Sequence, residues 1–131
     1  RFVDFKGASH VACPETPAQR ALWKTYREKY SGKRHEAACA SFVREQGFGA
    51  LASILEVHGT HLPPRSDATL EQKILFYADK RVKLDEVVSL DERFADFRDR
   101  YSQGKSTPDS EAWYAKAKKL EKDLFPEGAP L

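Results

Sequence analysis

The sequence has few cysteines and no long apolar run, and both absences exclude whole classes of protein. Its 131 residues include two cysteines, Cys13 and Cys39, and no methionine. Two cysteines can form one bridge at most, which excludes a disulfide framework and favours a reducing, cytoplasmic setting. No stretch approaches the ~20 apolar residues that span a bilayer, and no basic segment leads into an apolar run. The sequence therefore predicts neither a transmembrane helix nor a signal peptide.

An excess of charge of one sign is also missing. The 22 Lys and Arg residues nearly balance the 20 Asp and Glu residues, which leaves a net charge of +2. This balance gives no general attraction to nucleic acid, and the aromatic residues occur at helical core spacing rather than between basic residues. We therefore expect neither a nucleic-acid polymer nor a membrane as a partner.

The length and composition predict one domain over residues 1–131, with an irregular arm at 1–15 and a tail at 126–131. A hydrophobic fraction of 40% suits one modest core and excludes a wholly disordered chain. Because the first residue is Arg1, we expect either that a leader was removed or that the chain begins partway into a longer protein. In the second case the domain would lack its N-terminal part.

Periodic apolar residues between capping signals predict an all-α fold, a single irregular bundle of about six helices. Capping residues at Thr16, Thr69, Ser89 and Thr107 indicate where four of these helices begin. The predicted helices span 17–30, 35–46, 50–58 and 70–81, then a helix closed by Gly104, and a last one that includes Leu124. Residues 82–88 are ambiguous between helix and strand, and no strand pair with hairpin chemistry is expected.

Histidine and one acidic residue carry the strongest chemical signal. His35 opens one helix, His58 closes the next, and Asp79 follows an apolar stretch, where an unpaired acid is costly. Imidazole and carboxylate ligands together suit Fe, Mn, Zn or Ni. Two plainer interpretations stay open: His58 caps a helix C-terminus, and Asp79 pairs with a basic neighbour among residues 80–83.

Two segments carry a family resemblance. Tyr-Ala-Asp-Lys at residues 77–80 is followed by Ser-Leu-Asp-Glu-Arg-Phe at residues 89–94. With their surroundings at 69–101, these segments resemble the C-terminal half of the HD-domain metal-dependent phosphohydrolases. Residues 35–58 are similar to the preceding helices of that family, so the resemblance covers roughly residues 33–124.

The resemblance implies an HD-domain-like all-α fold and hydrolysis of a small phosphorylated substrate or nucleotide. It also implies one or two bound divalent metals, with Mn, Fe, Mg, Ni and Zn as candidates. By position, Asp79 matches the late Asp ligand of the family, and His35 and His58 look like its additional His ligands. Asp4 matches the Asp of the family's His-Asp dyad, and Lys80 is the nearest candidate for holding a phosphate oxygen.

The dyad itself is where the sequence departs from the family. No His-Asp dipeptide occurs in the chain, and Val3 stands before Asp4 where the dyad His would be. The early His of the family would lie before Arg1. The alternative to an enzyme is therefore a degenerate HD fold that serves as a non-catalytic helical interaction or structural module with a protein partner.

Overall fold

The computed structural model describes residues 16–59 and 67–129. Six α-helices lie in these ranges, and 66% of the described residues are helical, so the predicted all-α class is confirmed. The helices are α1 (Pro17–Lys29), α2 (His35–Glu45), α3 (Gly49–Leu55), α4 (Leu70–Asp79), α5 (Leu90–Ser102) and α6 (Pro108–Leu124). Across the described ranges, no helix is both long enough and apolar enough to cross a membrane.

The chain divides into two compact units, Arg1–Glu56 and Val57–Leu131. In the first unit α2 packs against α3. Three of the buried positions in these two helices are small: Ala38, Ala40 and Ala52. The end of α1 is tied to the end of α2, because Lys29 and the Tyr30 hydroxyl both donate to Oε2 of Glu45.

Side-chain caps explain where the helices begin. A cap oxygen accepts a hydrogen bond from the main-chain N–H three residues further on, which satisfies a group that the helix leaves unpaired. These bonds join Thr16 to Gln19 (3.2 Å), Thr69 to Gln72 (3.4 Å), Ser89 to Glu92 (3.1 Å) and Thr107 to Ser110 (3.2 Å). All four predicted helix starts are therefore confirmed.

The second unit has an aromatic core formed by α4, α5 and α6. Its buried residues are Phe76, Tyr77, Leu90, Phe94, Phe97, Ala117 and Leu120. Phe94 is central, since its ring lies edge-on to Phe97 at 5.5 Å, Trp113 at 6.1 Å and Tyr114 at 5.3 Å between centroids. Edge-to-face pairs of this kind add to the free energy gained from burying apolar area.

A short hairpin lies between α4 and α5, where none was expected. Strands β1 (Val82–Lys83) and β2 (Glu86–Val87) pair antiparallel, and Val82 is opposite Val87. The prediction that this region contains no hairpin was wrong. Its turn lacks the usual Gly or Asn, and Leu84 takes a left-handed φ of 59° instead. Contacts at the base of the hairpin help to hold it, since Val88 N–H donates to the Arg81 carbonyl at 2.7 Å.

Two helices end earlier than predicted by more than one residue. The third helix ends at Leu55 rather than at His58, and the fourth ends at Asp79 rather than near Arg81. His58 therefore follows its helix instead of lying within it. Lys80 becomes the C-terminal cap residue of α4, and its main-chain N–H donates to the Tyr77 carbonyl at 3.0 Å.

Candidate functional site

The candidate residues occupy different parts of the chain. Asp4 lies outside the described residues. His35 is the first residue of α2, is half-buried, and belongs to the first unit. His58 and Asp79 belong to the second unit, where His58 is 8% exposed and Asp79 is the last residue of α4. Of the predicted ligands that the structure describes, His58 and Asp79 therefore share a compact unit, and His35 belongs to the other.

Lys80 connects these two residues. Its ammonium donates to the main-chain carbonyl of His58 at 2.9 Å and to Oδ2 of Asp79 at 2.7 Å. The Lys80 side chain is fully buried, and Nζ lies 4.3 Å from the centre of the Phe76 ring. A buried ammonium is costly unless it is paired and hydrogen-bonded. Lys80 therefore fixes the His58 main chain next to the Asp79 carboxylate.

The Asp79 carboxylate is both paired and accessible. The interpretation that it pairs with a basic neighbour is confirmed, and the partner is Lys80. The ammonium contacts one carboxylate oxygen, and 39% of the Asp79 side chain stays exposed. Because a carboxylate has several acceptor positions, Asp79 can accept a second positively charged partner from the solvent side.

The donor chemistry fits a divalent cation, but the number of donors in the described part is small. Carboxylate and imidazole are ligands that first-row divalent metals accept. Among residues 16–59 and 67–129, no group of three or more His, Cys, Asp or Glu side chains is arranged to hold a metal ion. In the second unit, Asp79 and His58 would have to be joined by at least one further donor to complete a usual coordination shell.

Arg81, the second basic residue after Asp79, is also engaged inside the protein. Its Nε donates to the Val88 carbonyl at 2.6 Å, and Nη1 donates to the Tyr77 hydroxyl. The guanidinium lies 3.5 Å from the Glu121 carboxylate, and the Arg81 side chain is 7% exposed. Burial raises the pKa of Tyr77 above its ordinary value of 10.0. This network attaches the end of α4 to α6 and to the hairpin.

Lys80 and Arg81 therefore donate hydrogen bonds to groups of the protein itself in this structure. A contact between Lys80 and a phosphate oxygen stays a prediction. The observed contacts give Lys80 a different and more local role, which is to compensate the charge of Asp79 and to fix the main chain at His58. Sequence reasoning missed this role because His58 and Lys80 are 22 residues apart, and local sequence patterns do not show contacts over that separation.

Sequence reasoning also missed a polar recess of about 420 Å³ between α5 and α6. The recess is lined by Asp91, Arg98, Ser106, Glu111 and Tyr114. The Tyr114 hydroxyl donates to Asp91, and this bond to a carboxylate, with burial, raises the pKa of Tyr114 to about 12. No sequence signal could have found the recess, since two helices and their connection supply its lining.

Comparison with known proteins found no match: no family model, no curated protein and no solved structure is significantly similar to this chain.

Proposed function

We propose that the protein is an HD-type, metal-dependent phosphohydrolase that acts on a small phosphate ester or nucleotide. The observation that supports this proposal is the Lys80 contact, because it joins the Asp79 carboxylate to the main chain of a second candidate ligand, His58, in one compact unit. Asp79 keeps an accessible carboxylate at the end of α4. The proposed cofactor is one of Mn, Fe, Mg, Ni or Zn.

In the proposed site, Asp79 is the principal ligand and His58 the second. The family resemblance also implies His35 and Asp4 as metal ligands, and both stay predictions. A bound divalent cation would lower the pKa of a coordinated water and neutralise charge on the phosphate. The protein's own contribution in the second unit is to orient Asp79, since Lys80 fixes one of its two oxygens. Oriented ligands bind a metal more tightly than mobile ones.

The test combines metal analysis with hydrolysis assays on the full chain. We expect the protein to bind Mn²⁺ and to hydrolyse p-nitrophenyl phosphate, bis(p-nitrophenyl) phosphate or a member of a nucleotide panel. Asp79→Asn should abolish turnover and weaken Mn²⁺ binding, because an amide is a much poorer ligand than a carboxylate. Asp85→Asn, in the exposed hairpin turn of the same unit, is the matched control and should leave both unchanged. The proposal fails if the protein neither binds metal nor hydrolyses any of these substrates.

A second candidate function has its own supporting observation. Lys80 already pairs with the Asp79 carboxylate without any metal, which is compatible with a degenerate HD fold that acts as a non-catalytic interaction module. The hairpin also exposes apolar side chains that a protein partner could cover: Val82 is 40% exposed, and Leu84 and Val87 are each 65% exposed. Stability that does not respond to Mn²⁺ or to a chelator, together with no turnover, would favour this module over the enzyme.

We also propose a cytoplasmic location. Cys39 carries a free, half-buried thiol, and burial raises its pKa above the ordinary value of 9.0. A free thiol is usual in a reducing compartment, where disulfides are rare. Fractionation of the native host cells, followed by detection of the chain, tests this location, and recovery outside the cytoplasm would contradict it.

A further inference from the structure

The polar recess between α5 and α6 contains two opposite charges that have no charged partner in the described part of the chain. Arg98 on α5 is half-buried, and its guanidinium forms no hydrogen bond or ion pair with any residue of the ranges 16–59 and 67–129. Glu111, in the first turn of α6, accepts a hydrogen bond from the Ser106 hydroxyl but pairs with no cation in the same ranges. Although Arg98 and Glu111 line one recess, they do not pair with each other. One positive and one negative charge are therefore held apart in a single concavity.

The third charge of the recess, that of Asp91, is compensated. Its Oδ1 accepts the hydrogen bond from the Tyr114 hydroxyl and lies 3.7 Å from the Lys118 ammonium. The bond to Asp91, followed by burial, raises the pKa of Tyr114 most, while the Arg98 charge lowers this pKa and the Glu111 charge raises it by smaller amounts. The two unpaired charges therefore both lie near the Tyr114 hydroxyl.

We propose that this recess binds a small zwitterion, a free amino acid, whose carboxylate pairs with Arg98 and whose ammonium pairs with Glu111. A guanidinium presents parallel N–H donors that match the two oxygens of a carboxylate. The Glu111 carboxylate keeps acceptor positions beyond the one that Ser106 uses. A simple anion would be repelled by the acidic side of the recess and a simple cation by Arg98, whereas a molecule with both charges complements both sides.

The size of the recess agrees with a ligand of this class. Its volume of about 420 Å³ lies toward the small end of ligand cavities, which span roughly 300–1,000 Å³. Because Glu111 is exposed and Asp91 is 65% exposed, the charges stay in contact with solvent, and we expect a dissociation constant on the order of 1 mM. A bound zwitterion would connect α5 to α6 and so stabilise the folded chain. This inference does not depend on the proposed phosphohydrolase activity.

The test is an NMR titration of the full ¹⁵N-labelled chain with glycine, β-alanine and γ-aminobutyrate. The distance between carboxylate and ammonium increases along this series, so the member that binds best reports the separation of the two charges in the recess. We expect that member to shift the amide signals of Ser106 and Glu111. Its two counterparts that carry only the carboxylate or only the ammonium should bind about tenfold more weakly or less, because each loses one charged hydrogen bond.

Each charged side chain has a matched control on its own helix. Arg98→Gln should weaken binding about tenfold, and Arg98→Lys should retain most of it, because lysine keeps the charge. Arg100→Gln is the control, since Arg100 donates to Asp96 at 2.8 Å and does not line the recess. Glu111→Gln should also weaken binding about tenfold, whereas Asp109→Asn, at an exposed acid in the same first turn, should leave the affinity unchanged. Circular dichroism checks that each variant is folded.

A purely structural role for Glu111 would be to favour the N-terminus of α6 through its charge, a role that Asp109 shares. That role predicts equal losses of stability in the two acidic variants and no zwitterion binding in any protein. The inference is overturned if no member of the series shifts the recess signals at about 50 mM, well above the expected dissociation constant. It is also overturned if the singly charged counterparts bind as tightly as the zwitterion, or if Arg98→Gln binds it as the wild-type chain does.

Discussion

Glu121 is the residue whose replacement best tests how the end of α4 is held. Its Oε2 accepts a hydrogen bond from the Tyr77 hydroxyl at 2.9 Å and lies 3.5 Å from Nη1 of Arg81. Both charged side chains are shielded, since Arg81 is 7% exposed and Glu121 is 18% exposed. Glu121→Gln keeps the shape and an acceptor for Tyr77 but removes the negative charge that compensates Arg81.

The expected loss of stability depends on the hydrogen bonds that Arg81 retains in the Glu121→Gln variant. Removing one partner of a buried ion pair costs about 3–5 kcal/mol when the remaining charge has no other compensation. Arg81 still donates to the Val88 carbonyl and to the Tyr77 hydroxyl, and glutamine can still accept from Tyr77. We therefore expect a smaller loss of about 2 kcal/mol, within the range for hydrogen bonds to charged groups.

The assay is urea unfolding at pH 7 followed by far-UV circular dichroism. Asp123→Asn is the control, because Asp123 is an exposed carboxylate two residues further along the same helix. Its free energy of unfolding should stay within about 0.5 kcal/mol of the wild-type value. If Glu121→Gln changes stability no more than this control does, the reasoning about a shielded charge network at the end of α4 is refuted.

Two further predictions concern the turn of the hairpin and the polar recess. Leu84→Asn should stabilise the protein by about 0.5–1 kcal/mol, because asparagine tolerates the left-handed φ of 59° better than leucine does. Leu70→Asn, at a similarly exposed helical position, should not stabilise it, and equal effects of the two changes on urea unfolding would contradict the argument from φ. In the recess, the pKa of Tyr114 is raised from 10.0 to about 12, so its bond to Asp91 contributes stability below pH 10 that is lost as the pH rises through about 12. Tyr114→Phe should therefore remove amplitude near pH 12 from an alkaline absorbance titration, and the stability difference from wild type should shrink over the same pH range. Amplitude lost near pH 10 instead would show that Tyr114 ionises normally.

The parts of the fold that could be predicted from sequence are those decided within a few residues. Helix starts at Thr16, Thr69, Ser89 and Thr107 depend on a cap and the N–H three residues away, so the sequence contains the whole interaction. The hairpin depends instead on contacts at its base, where the Arg81 side chain donates to the Val88 carbonyl and the Arg81 carbonyl accepts from the Val88 N–H. The hairpin turn contains neither Gly nor Asn, so the local sequence did not indicate a hairpin.

The partner of Asp79 in the candidate site also could not be predicted from the local sequence. Spacing on a helix favours a pair between Asp79 and a residue three or four positions away, since neighbouring side chains point in different directions. Lys83 meets that spacing, but it lies in β1 and pairs with Glu92. Because α4 ends at Asp79, the side chain of Lys80 is able to reach both the Asp79 carboxylate and the His58 carbonyl. The choice of Lys80 over Lys83 thus depends on where the helix stops and on a main-chain oxygen 22 residues earlier.

That choice makes the stability of the second unit depend on one buried charge. The Lys80 ammonium compensates Asp79 and donates to the His58 carbonyl, so its removal takes a charged donor away from both acceptors. We therefore expect Lys80→Met to lower the melting temperature, whereas Lys83→Met, at the more exposed pair with Glu92, should change it little. Equal melting temperatures of the two variants would contradict the argument that the buried ammonium holds the end of α4.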